Sequence, residues 1–549
     1  MGKNIIDRTP SAYAYPLLIK HLLDSPLVNA PDQEIIYREL KRYTYREFRE
    51  RIGRLANALV ALGIKPGDTV AVMDCDSHRY LECYFAVPMM GAVLHTVNIR
   101  LSSEQLLYTI NHAEDDIILV NAEFLPMLEK IRDRIETVGK IVLLNDADQP
   151  PLTSLEIAAE YEELLAAAAA GYDFIDFDEN TRATTFYTTG TTGSPKGVYF
   201  SHRQLVLHTL AGLAALGTPN SQGRFHQDDV YMPITPMFHV HAWGIPYIAT
   251  TMGLKQVYPG RYTPDGLMAA IRNEQVTFSH CVPTILHMLL NSPCSLDTDL
   301  SGWKVIIGGS ALPKALCKSA MDRGIDIFTG YGMSETCPIL TLAHLEPDML
   351  DWETDAQATF RCKSGRPIPL VDLRVTDELM NDVPHDARST GEVVVRAPWL
   401  TQGYFKDAES SERLWAGGYL HTHDVANIDS RGYLKICDRT KDVIKTGGEW
   451  LSSLEIEDII AQHPGVSEVA VIGCIDEKWG ERPMALVVPK PGQAGEITDA
   501  AIRFIVSERV ESGAISGWAV PDRVLFLSAL DKTSVGKIDK KVLREKYAR

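Results

Sequence analysis

The sequence lacks the patterns that mark membrane, exported and disulfide-rich proteins. Its nine cysteines include no C-x-x-C pair, so we expect reduced, mostly buried thiols of a cytosolic protein. No apolar run approaches the roughly 20 residues of a membrane span. The N-terminus MGKNIIDRTP has no apolar core of a signal peptide, and Ile6 occupies the position where N-myristoylation needs Ser or Thr. These absences predict a cytoplasmic protein without a transmembrane segment.

Basic residues are also scarce relative to acidic ones. The chain has 54 Lys and Arg against 72 Asp and Glu, a formal net charge of −18, which argues against a general nucleic-acid-binding surface. A local basic groove for a small anionic ligand remains compatible with this balance. With 45% hydrophobic and 23% charged residues, the composition is that of a globular protein. A length of 549 residues exceeds one ordinary core and predicts two or more domains.

Alternating helix and strand patterns predict an α/β fold with a mostly parallel sheet. Thr44 and Glu47 have the spacing of a capping box, and apolar residues at helical spacing follow them. The stretches 68–73, 116–120 and 141–144 are apolar and β-branched, as in buried strands. The N-terminal part therefore reads as a layered α/β domain.

Roughly the last hundred residues have a helix and strand pattern of their own. Ser452 and Glu455 have the spacing of a second capping box, and residues 468–473 and 484–489 read as strands. A segment of this length with its own strands and helices predicts a small α+β domain.

The segment TTFYTTGTTGSPKGVYFSH, residues 184–202, places small and hydroxylated residues between two strand patterns. Its glycines let backbone N–H groups approach an anion, its threonines and Ser194 add hydroxyl donors, and Lys196 adds positive charge. The spacing is not that of a Walker A loop, G-x-x-x-x-G-K-[ST]. From these residues alone, a cradle for ATP phosphates and a plain surface hairpin are equally supported.

Six further motifs follow in order and change that balance. They are PMFHVHAWG (236–244), GGSALP (308–313), GYGMSET (330–336), HTHDVA (421–426), CDRTKDVIKTGGEW (437–450) and DKTSVGKIDK (531–540). With the 184–202 segment they resemble the signature motifs of adenylate-forming enzymes, a family of acyl- and aryl-CoA synthetases, luciferases and peptide-synthetase adenylation domains. The resemblance covers nearly the whole chain. It implies a large multi-sheet α/β N-terminal domain and a small mobile α+β C-terminal domain.

The resemblance also implies a reaction in two steps. A carboxylate attacks the α-phosphorus of ATP, giving acyl-adenylate and pyrophosphate, and the thiol of coenzyme A then displaces AMP. Because both reactants of the first step are anions, the site must neutralise charge and hold an in-line geometry. Lys537 is expected to bridge the two reacting groups, and Glu335 to hold Mg²⁺ with Thr188. Without the resemblance, Lys537 would be an exposed tail lysine and Glu335 a helix N-terminal acid.

The implied nucleotide contacts lie in most of the motifs. Tyr331 is expected to lie flat on the adenine, Ser310 to line the base, and Asp424 to accept the ribose hydroxyls beside Arg439. As isolated residues, Tyr331 would be an ordinary turn residue, and Asp424 and Arg439 members of surface ion pairs. The full set expected to contact ATP or AMP is Thr188, Thr189, Gly190, Thr191, Thr192, Gly193, Lys196, Gly309, Ser310, Gly330, Tyr331, Gly332, Ser334, Asp424, Arg439, Lys441, Lys445 and Trp450.

The acyl side of the expected site lies in the 236–244 motif. Trp243 resembles the aromatic gate between ATP site and acyl tunnel in fatty-acyl members, although a core tryptophan is the structural alternative. Val240 and His241, with Gly308, are expected near the carboxylate and acyl chain.

The C-terminal domain is expected to move. Lys441 matches the family's pivot, so the implied division is an AMP-binding domain of residues 1–439 and a mobile domain of residues 440–549. Rotation would withdraw the catalytic lysine and present Gly447 and Gly448, whose bare backbone could line the path of coenzyme A closely. A glycine turn between strand and helix explains the same two residues structurally.

Three positions depart from the family pattern. His423 replaces a glycine before the ribose aspartate, and could crowd Asp424 or add a contact. Ser334 replaces a threonine and keeps the hydroxyl, while Asp531 replaces a proline. None of these removes a reacting group, so we expect activity.

The motifs resemble medium- and long-chain fatty-acyl members most, so an acyl-CoA synthetase using a fatty acid, ATP, Mg²⁺ and coenzyme A is the leading hypothesis. An aryl or alicyclic carboxylate–CoA ligase is the alternative on substrate. A carrier-protein-loading adenylation enzyme, a luciferase-like oxygenase and a non-catalytic nucleotide-binding protein are alternatives of other classes. The resemblance implies small-molecule partners, no nucleic acid and, by analogy, a homodimer.

Overall fold

The computed structural model of this chain describes residues 4–188, 194–219, 222–446, 449–492, 497–512, 515–532 and 538–548, without the side chains of Glu449 and Trp450. Short 3₁₀ turns occur between its α-helices and strands. The α-helices of the described residues are Asp24–Asn29, Tyr45–Ala61, His78–Met89, Ser103–Ala113, Leu125–Glu129, Tyr161–Ala167, His202–Gly217, Ile245–Met252, Pro264–Glu274, Pro283–Leu290, Pro293–Leu296, Lys314–Asp322, Thr354–Arg361, Ala408–Leu414, Ser453–Ala461, Asp499–Glu511 and Lys540–Tyr547.

The first sheet, which we call sheet A, carries the glycine-threonine segment at one edge. Its strands are parallel except for the last, which is antiparallel to its neighbour. In spatial order the described strands are Ala159–Glu160, Lys140–Leu144, Ile117–Asn121, Thr69–Met73, Val93–Thr96, Arg182–Thr188 and Lys196–Ser201.

The second sheet, sheet B, has a parallel centre and antiparallel strands at both ends. In spatial order its described strands are Arg366–Pro367, Ile339–Leu342, Asp326–Gly332, Lys304–Ile307, Phe278–Cys281, Val230–Pro233, Lys255–Tyr258, Glu34–Tyr37 and Lys41–Thr44. The largest buried cluster joins the two sheets through aromatic side chains such as Phe48, Tyr84, Phe186, Trp243 and Tyr247.

Two further sheets complete the fold. An antiparallel sheet consists of Asp372–Thr376, Gly391–Arg396, Leu420–Ile428 and Leu434–Arg439. The C-terminal sheet runs in the order Glu449–Leu451, Ile444–Thr446, Gly480–Pro489 and Val466–Asp476, with Arg523–Phe526 paired parallel to Gly480–Pro489.

The C-terminal segment builds hydrophobic clusters of its own. Both of its buried clusters draw all their members from residue 444 onward, with Ile456, Val471 and Leu486 among them. The predicted fold class, a large multi-sheet α/β domain followed by a small α+β domain, is confirmed. No helix in the described ranges has the length and apolar character needed to cross a membrane.

The local predictions correspond closely to the observed elements. Thr44 and Glu47 form a reciprocal capping box at the start of helix Tyr45–Ala61, and the three expected strands are buried and parallel. Ser452 caps helix Ser453–Ala461 by accepting from the Glu455 N–H at 3.1 Å. The Glu455 carboxylate contacts Lys435 at 3.5 Å.

Candidate active site

The strands on either side of residues 189–193 pair antiparallel at the edge of sheet A. Thr188 and Lys196 are directly opposite each other, and the Thr188 hydroxyl donates to the Lys196 carbonyl at 3.5 Å. The Lys196 ammonium donates to Ser410 Oγ at 3.0 Å and lies 4.4 Å from the centroid of the Tyr404 ring. The two strands of the predicted hairpin are therefore observed. The phosphate cradle stays a prediction, because Thr189, Gly190, Thr191, Thr192 and Gly193 lie outside the described residues.

Glu335 is a buried carboxylate that follows a strand of sheet B. It lies in the 3₁₀ turn Ser334–Thr336 that follows strand Asp326–Gly332, with only 6% of its surface exposed. Burial raises its pKa, whereas a hydrogen bond from the Tyr404 hydroxyl at 2.7 Å opposes the rise. The charges of Arg439 and Lys196 also lower the pKa of Glu335, so these cations face the same region.

Tyr331, Asp424 and Arg439 form a connected cluster. The Tyr331 hydroxyl donates to Asp424 Oδ2 at 2.8 Å, and Arg439 Nε lies 3.2 Å from Asp424 Oδ1. Asp424 and Arg439 are cross-strand partners in the antiparallel sheet, which fixes this pair from the backbone register. Asp424 is buried and Arg439 is half exposed, so this ion pair joins a buried carboxylate to a cation at the protein surface.

Glycines in the GYGMSET motif allow close backbone approach. A Cβ on Gly332 would lie 1.7 Å from the Pro338 carbonyl oxygen, and one on Gly330 would lie 3.2 Å from Ile306 and Leu342 carbons. Packing therefore requires a glycine at position 332, whereas a side chain at position 330 would need its neighbours to shift slightly. Gly309 and Ser310 are exposed beyond the end of strand Lys304–Ile307, as a base-lining loop requires.

The expected acyl gate is a left-handed turn. Val240, His241, Ala242, Trp243 and Gly244 have φ values of 43°, 58°, 47°, 60° and 72°. Each non-glycine residue in this conformation costs about 1–2 kcal/mol, so the surrounding packing must hold the turn. The first four of these residues are all at least 93% buried.

The Trp243 indole fills the space beside the GGSALP motif. A Cβ on Gly308 would lie 2.9 Å from indole Cη2 and 3.1 Å from the Gly330 carbonyl oxygen, and the His280 ring is 5.0 Å from the Trp243 ring. Trp243 thus belongs to the buried core and also contacts Gly308, next to the proposed base-lining loop. The structure therefore shows the core position of Trp243, and its role as a gate stays a prediction.

His241 is a neutral group in this structure. Its Nε2 lies 2.9 Å from Thr184 Oγ1, and its Nδ1 has no hydrogen-bond partner among the described residues. Burial lowers the pKa of His241 to about 3, so the imidazole carries no charge near neutral pH. A positive charge for a bound carboxylate must come from another residue.

Comparison with known proteins identifies the family. The family described as AMP-binding enzyme matches residues 24–405, and the family described as AMP-binding enzyme C-terminal domain matches residues 455–537. This chain is an AMP-binding enzyme.

Named relatives cover almost the full chain. A long-chain-fatty-acid–CoA ligase of Thermus thermophilus is 40% identical over 93% of this chain and 91% of its own length. A 3-methylmercaptopropionyl-CoA ligase of Ruegeria pomeroyi is 38% identical over 90% of each chain. The crystal structure of ATP-bound MatB from Rhodopseudomonas palustris superimposes with a TM-score of 0.81, at 26% identity, over 97% of this chain and 99% of that one.

Hydrogen bonds bridge the segment around Lys441, the predicted pivot of this AMP-binding enzyme. Asp438 Oδ2 accepts from the Ser453 N–H at 2.6 Å and from its hydroxyl at 2.5 Å, and Arg544 donates to Asp442 at 2.5 Å. Lys441 is exposed, and desolvation lowers its pKa. A rotation about Lys441 would break the Asp438–Ser453 hydrogen bonds, because they join residues on opposite sides of it.

Several residues predicted for the C-terminal part of the site lie outside the described residues. Lys537, Gly447 and Gly448 lie outside the described residues, as does the side chain of Trp450. The Lys445 side chain is exposed, while its backbone N–H donates to Glu481 at 2.9 Å.

His423 lies where strand Leu420–Ile428 is irregular, because its pairing with strand Gly391–Arg396 shifts register between Glu392 and Val394. Its φ is +58°, which explains why a glycine suits this position, and its ring turns toward Glu392, with Nδ1 3.4 Å from the carboxylate. That carboxylate raises the pKa of His423. The side chain is 69% exposed, and Thr440 donates to the His423 carbonyl at 3.0 Å. Asp531 in turn contacts Lys546 at 2.7 Å.

Two residues near the site were not found from the sequence. Tyr404 contacts Glu335 and Lys196, but nothing in its neighbourhood marks it as functional. Asp76 anchors the gate segment by accepting from the Met237 N–H at 2.8 Å, and burial raises its pKa to about 7. The sequence could have indicated Asp76, because this residue follows the carboxyl end of a parallel strand. Ligand sites of α/β sheets occur at such ends.

Proposed function

We propose that this AMP-binding enzyme is an ATP-dependent acyl-CoA synthetase. It activates a carboxylic acid as an acyl-adenylate and transfers the acyl group to coenzyme A, releasing pyrophosphate and AMP. The observation that carries the proposal is the Tyr331–Asp424–Arg439 cluster beside the buried carboxylate Glu335. This arrangement offers a ring, a hydroxyl acceptor and cations to a nucleotide, and the full-length relatives are named CoA ligases.

The nucleotide-contacting residues named from the sequence form the first part of the proposal. Asp424 accepts the ribose hydroxyls once Tyr331 and Arg439 release its oxygens, and the Tyr331 ring stacks on the adenine. Hydrogen bonds to a carboxylate are among the stronger ones in proteins, so this exchange conserves much of the interaction free energy. The loop 189–193 and Lys196 bind the β- and γ-phosphates.

Glu335 and Thr188 are the proposed protein ligands of Mg²⁺. Both offer oxygen donors, and the second Glu335 oxygen, Oε2, accepts no hydrogen bond from another described side chain. No cluster of three or more metal-binding side chains occurs among the described residues, which agrees with a magnesium ion held mainly by phosphates and water. When bound, the ion neutralises phosphate charge. Glu335 contributes its carboxylate there, and Tyr404, Arg439 and Lys196 oppose the rise in its pKa that burial causes.

Lys537 is the proposed catalytic residue of the first step. The substrate carboxylate and the α-phosphate repel each other, and neutral His241 cannot offset that charge. An ammonium delivered by the C-terminal domain supplies the missing positive charge. Lys441 then acts as the pivot, and Gly447 and Gly448 line the path of coenzyme A in the second step.

A medium- or long-chain fatty acid is the proposed substrate class. The packing of Trp243 against Gly308 suits a gate that opens for an acyl chain, with Val240 and His241 beside it. The Thermus thermophilus relative carries a long-chain name, whereas the Ruegeria pomeroyi relative carries the name of a short sulfur-containing acid. An aryl or alicyclic acid is the alternative outcome of the substrate test.

The proposal includes a domain division at residues 439 and 440, a homodimer and a cytoplasmic location. The division is supported by the C-terminal clusters, which begin at residue 444. The location is supported by nine cysteines that form no disulfide. The homodimer rests on analogy with fatty-acyl relatives, and sedimentation of the full chain tests it.

The deciding experiment is a panel of short, medium, long, aromatic and alicyclic acids, followed by pyrophosphate release with and without coenzyme A. We expect fatty acids to give the highest kcat/KM and acyl-CoA to form. Acyl transfer only to a phosphopantetheine carrier protein, or oxygen consumption with light, would contradict the proposed second step. Pyrophosphate release with none of the acids would contradict the whole proposal.

A further inference from the structure

A cavity of about 600 Å³ lies along the outer edge of sheet A, and none of the residues assigned above to substrate binding lines it. Its walls come from the ends of strands Arg182–Thr188 and Lys196–Ser201 and from residues 398–406. This volume falls in the usual range for small-molecule sites. The cavity is therefore large enough for a metabolite.

The side chains that line this cavity are positively charged or neutral. Arg182, Arg203 and Lys406 contribute three cations, and the described lining includes no aspartate or glutamate. This distribution is unusual in a chain of net charge −18. A concave surface lined by cations favours anions over neutral or cationic ligands.

Arg182 is the cation without an acidic partner. Arg203 pairs with Glu179 and Lys406 pairs with Glu114, each at 2.7 Å. The Arg182 guanidinium lies 4.4 Å from the Phe405 ring centroid, and its side chain forms no ion pair or hydrogen bond with any described residue. Partial burial lowers the pKa of Arg182, and the charge of Glu114 opposes this without a direct ion pair. A guanidinium in this state provides a planar donor fork for phosphate.

The cavity extends away from the proposed ATP site. Arg182 and Thr188 are the two ends of one strand, which places them about 20 Å apart at about 3.3 Å per residue. Tyr404 lies between the two regions, since its ring lines the cavity and its hydroxyl donates to Glu335. A ligand in the cavity would therefore bind separately from ATP while touching a residue that contacts the active site.

We propose that this cavity is a second binding site for a phosphate-bearing anion, with the phosphate on Arg182 and the remainder of the ligand beside Tyr199, Tyr404 and Phe405. The guanidinium fork binds phosphate oxygens through paired N–H donors, and the neighbouring aromatic rings can contact the organic part of a phosphate ester or anhydride. The site is independent of the proposed catalytic function, because none of its three cations belongs to the adenylation machinery.

The test is calorimetric titration of the full-length protein with inorganic phosphate, pyrophosphate and adenosine 3′,5′-bisphosphate in separate experiments. Hydrogen–deuterium exchange of residues 180–183 and 398–403 locates each binding event. We expect at least one anion to protect both segments, and Arg182→Gln to weaken that event roughly tenfold to a hundredfold, the usual effect of losing a charge-assisted hydrogen bond. The anion that protects both segments from exchange identifies the ligand class as inorganic phosphate, a diphosphate or a nucleotide.

Arg388→Gln is the matched control, because Arg388 is an exposed arginine outside the cavity. It should leave every binding event unchanged. Should Arg182→Gln fail to fold, Lys406→Gln removes a half-exposed cation from the same wall and should weaken binding several-fold. If no anion protects these segments, or if the event persists unchanged in the cavity variants, the site does not exist. Neither result would change the acyl-CoA synthesis measured in the acid panel, so the two proposals can fail separately.

Discussion

Replacing Tyr404 with phenylalanine tests whether the ionised form of Glu335 supports adenylation. The Tyr404 hydroxyl donates to Glu335 at 2.7 Å and is the largest influence that lowers the pKa of this buried carboxylate. Phenylalanine keeps the ring that packs under Lys196 and removes only the hydroxyl. The change therefore leaves the shape of the site and alters the protonation of one group.

The expected loss follows from the value of one charge-assisted hydrogen bond. Such a bond contributes about 1.5–3 kcal/mol, which corresponds to a fall of about 10- to 150-fold in kcat/KM for Mg²⁺-ATP near neutral pH. Removing the bond raises the pKa of Glu335 further above its usual range. Because the carboxylate is the required form and is lost as pH falls through that pKa, the acid limb of the rate profile should move to higher pH.

The assay is pyrophosphate release over a pH series at varied Mg²⁺-ATP. Tyr419→Phe is the matched control, since it removes an exposed hydroxyl that donates to Asp372 at 3.0 Å, away from Glu335. The control should keep the parent profile. A Tyr404→Phe enzyme with unchanged kcat/KM and an unmoved acid limb would refute the role given to ionised Glu335.

Three further substitutions test the mechanism and the fold. Lys537→Ala should abolish most pyrophosphate release but spare acyl transfer from supplied acyl-adenylate to coenzyme A; equal loss of both steps would contradict its assigned role. Lys441→Pro should slow the second step more than the first because a rigid pivot hinders rotation, and an unaffected second step would remove the pivot. Gly332→Ala should destabilise the protein by about 3 kcal/mol in thermal unfolding, since its Cβ would lie 1.7 Å from the Pro338 carbonyl oxygen. Gly171→Ala, with no atom within 4 Å of its Cβ, should be close to neutral, and equal effects would contradict the packing argument.

Short-range features were readable from the sequence because they depend on periodicity and on caps. The Thr44 capping box, the buried parallel strands and the two strands flanking residues 189–193 all follow from neighbours a few positions apart. The ordered motifs added the family and the set of residues to examine. Asp424 and Arg439 were named in this way, and the structure joins them as cross-strand partners.

Contacts between distant segments were decided only by the folded chain. Tyr404 reaches Glu335 across 69 residues, and Asp76 holds Met237 across 161, through loops whose sequences carry no matching pattern. The left-handed turn at Trp243 is likewise held by packing, because local preference opposes it. Sequence periodicity determines which face of a helix or strand is buried. The tertiary fold determines which other residues that face contacts. The pKa of Glu335 depends on the tertiary fold, because the residues that bury it and the charged groups beside it come from separate parts of the chain.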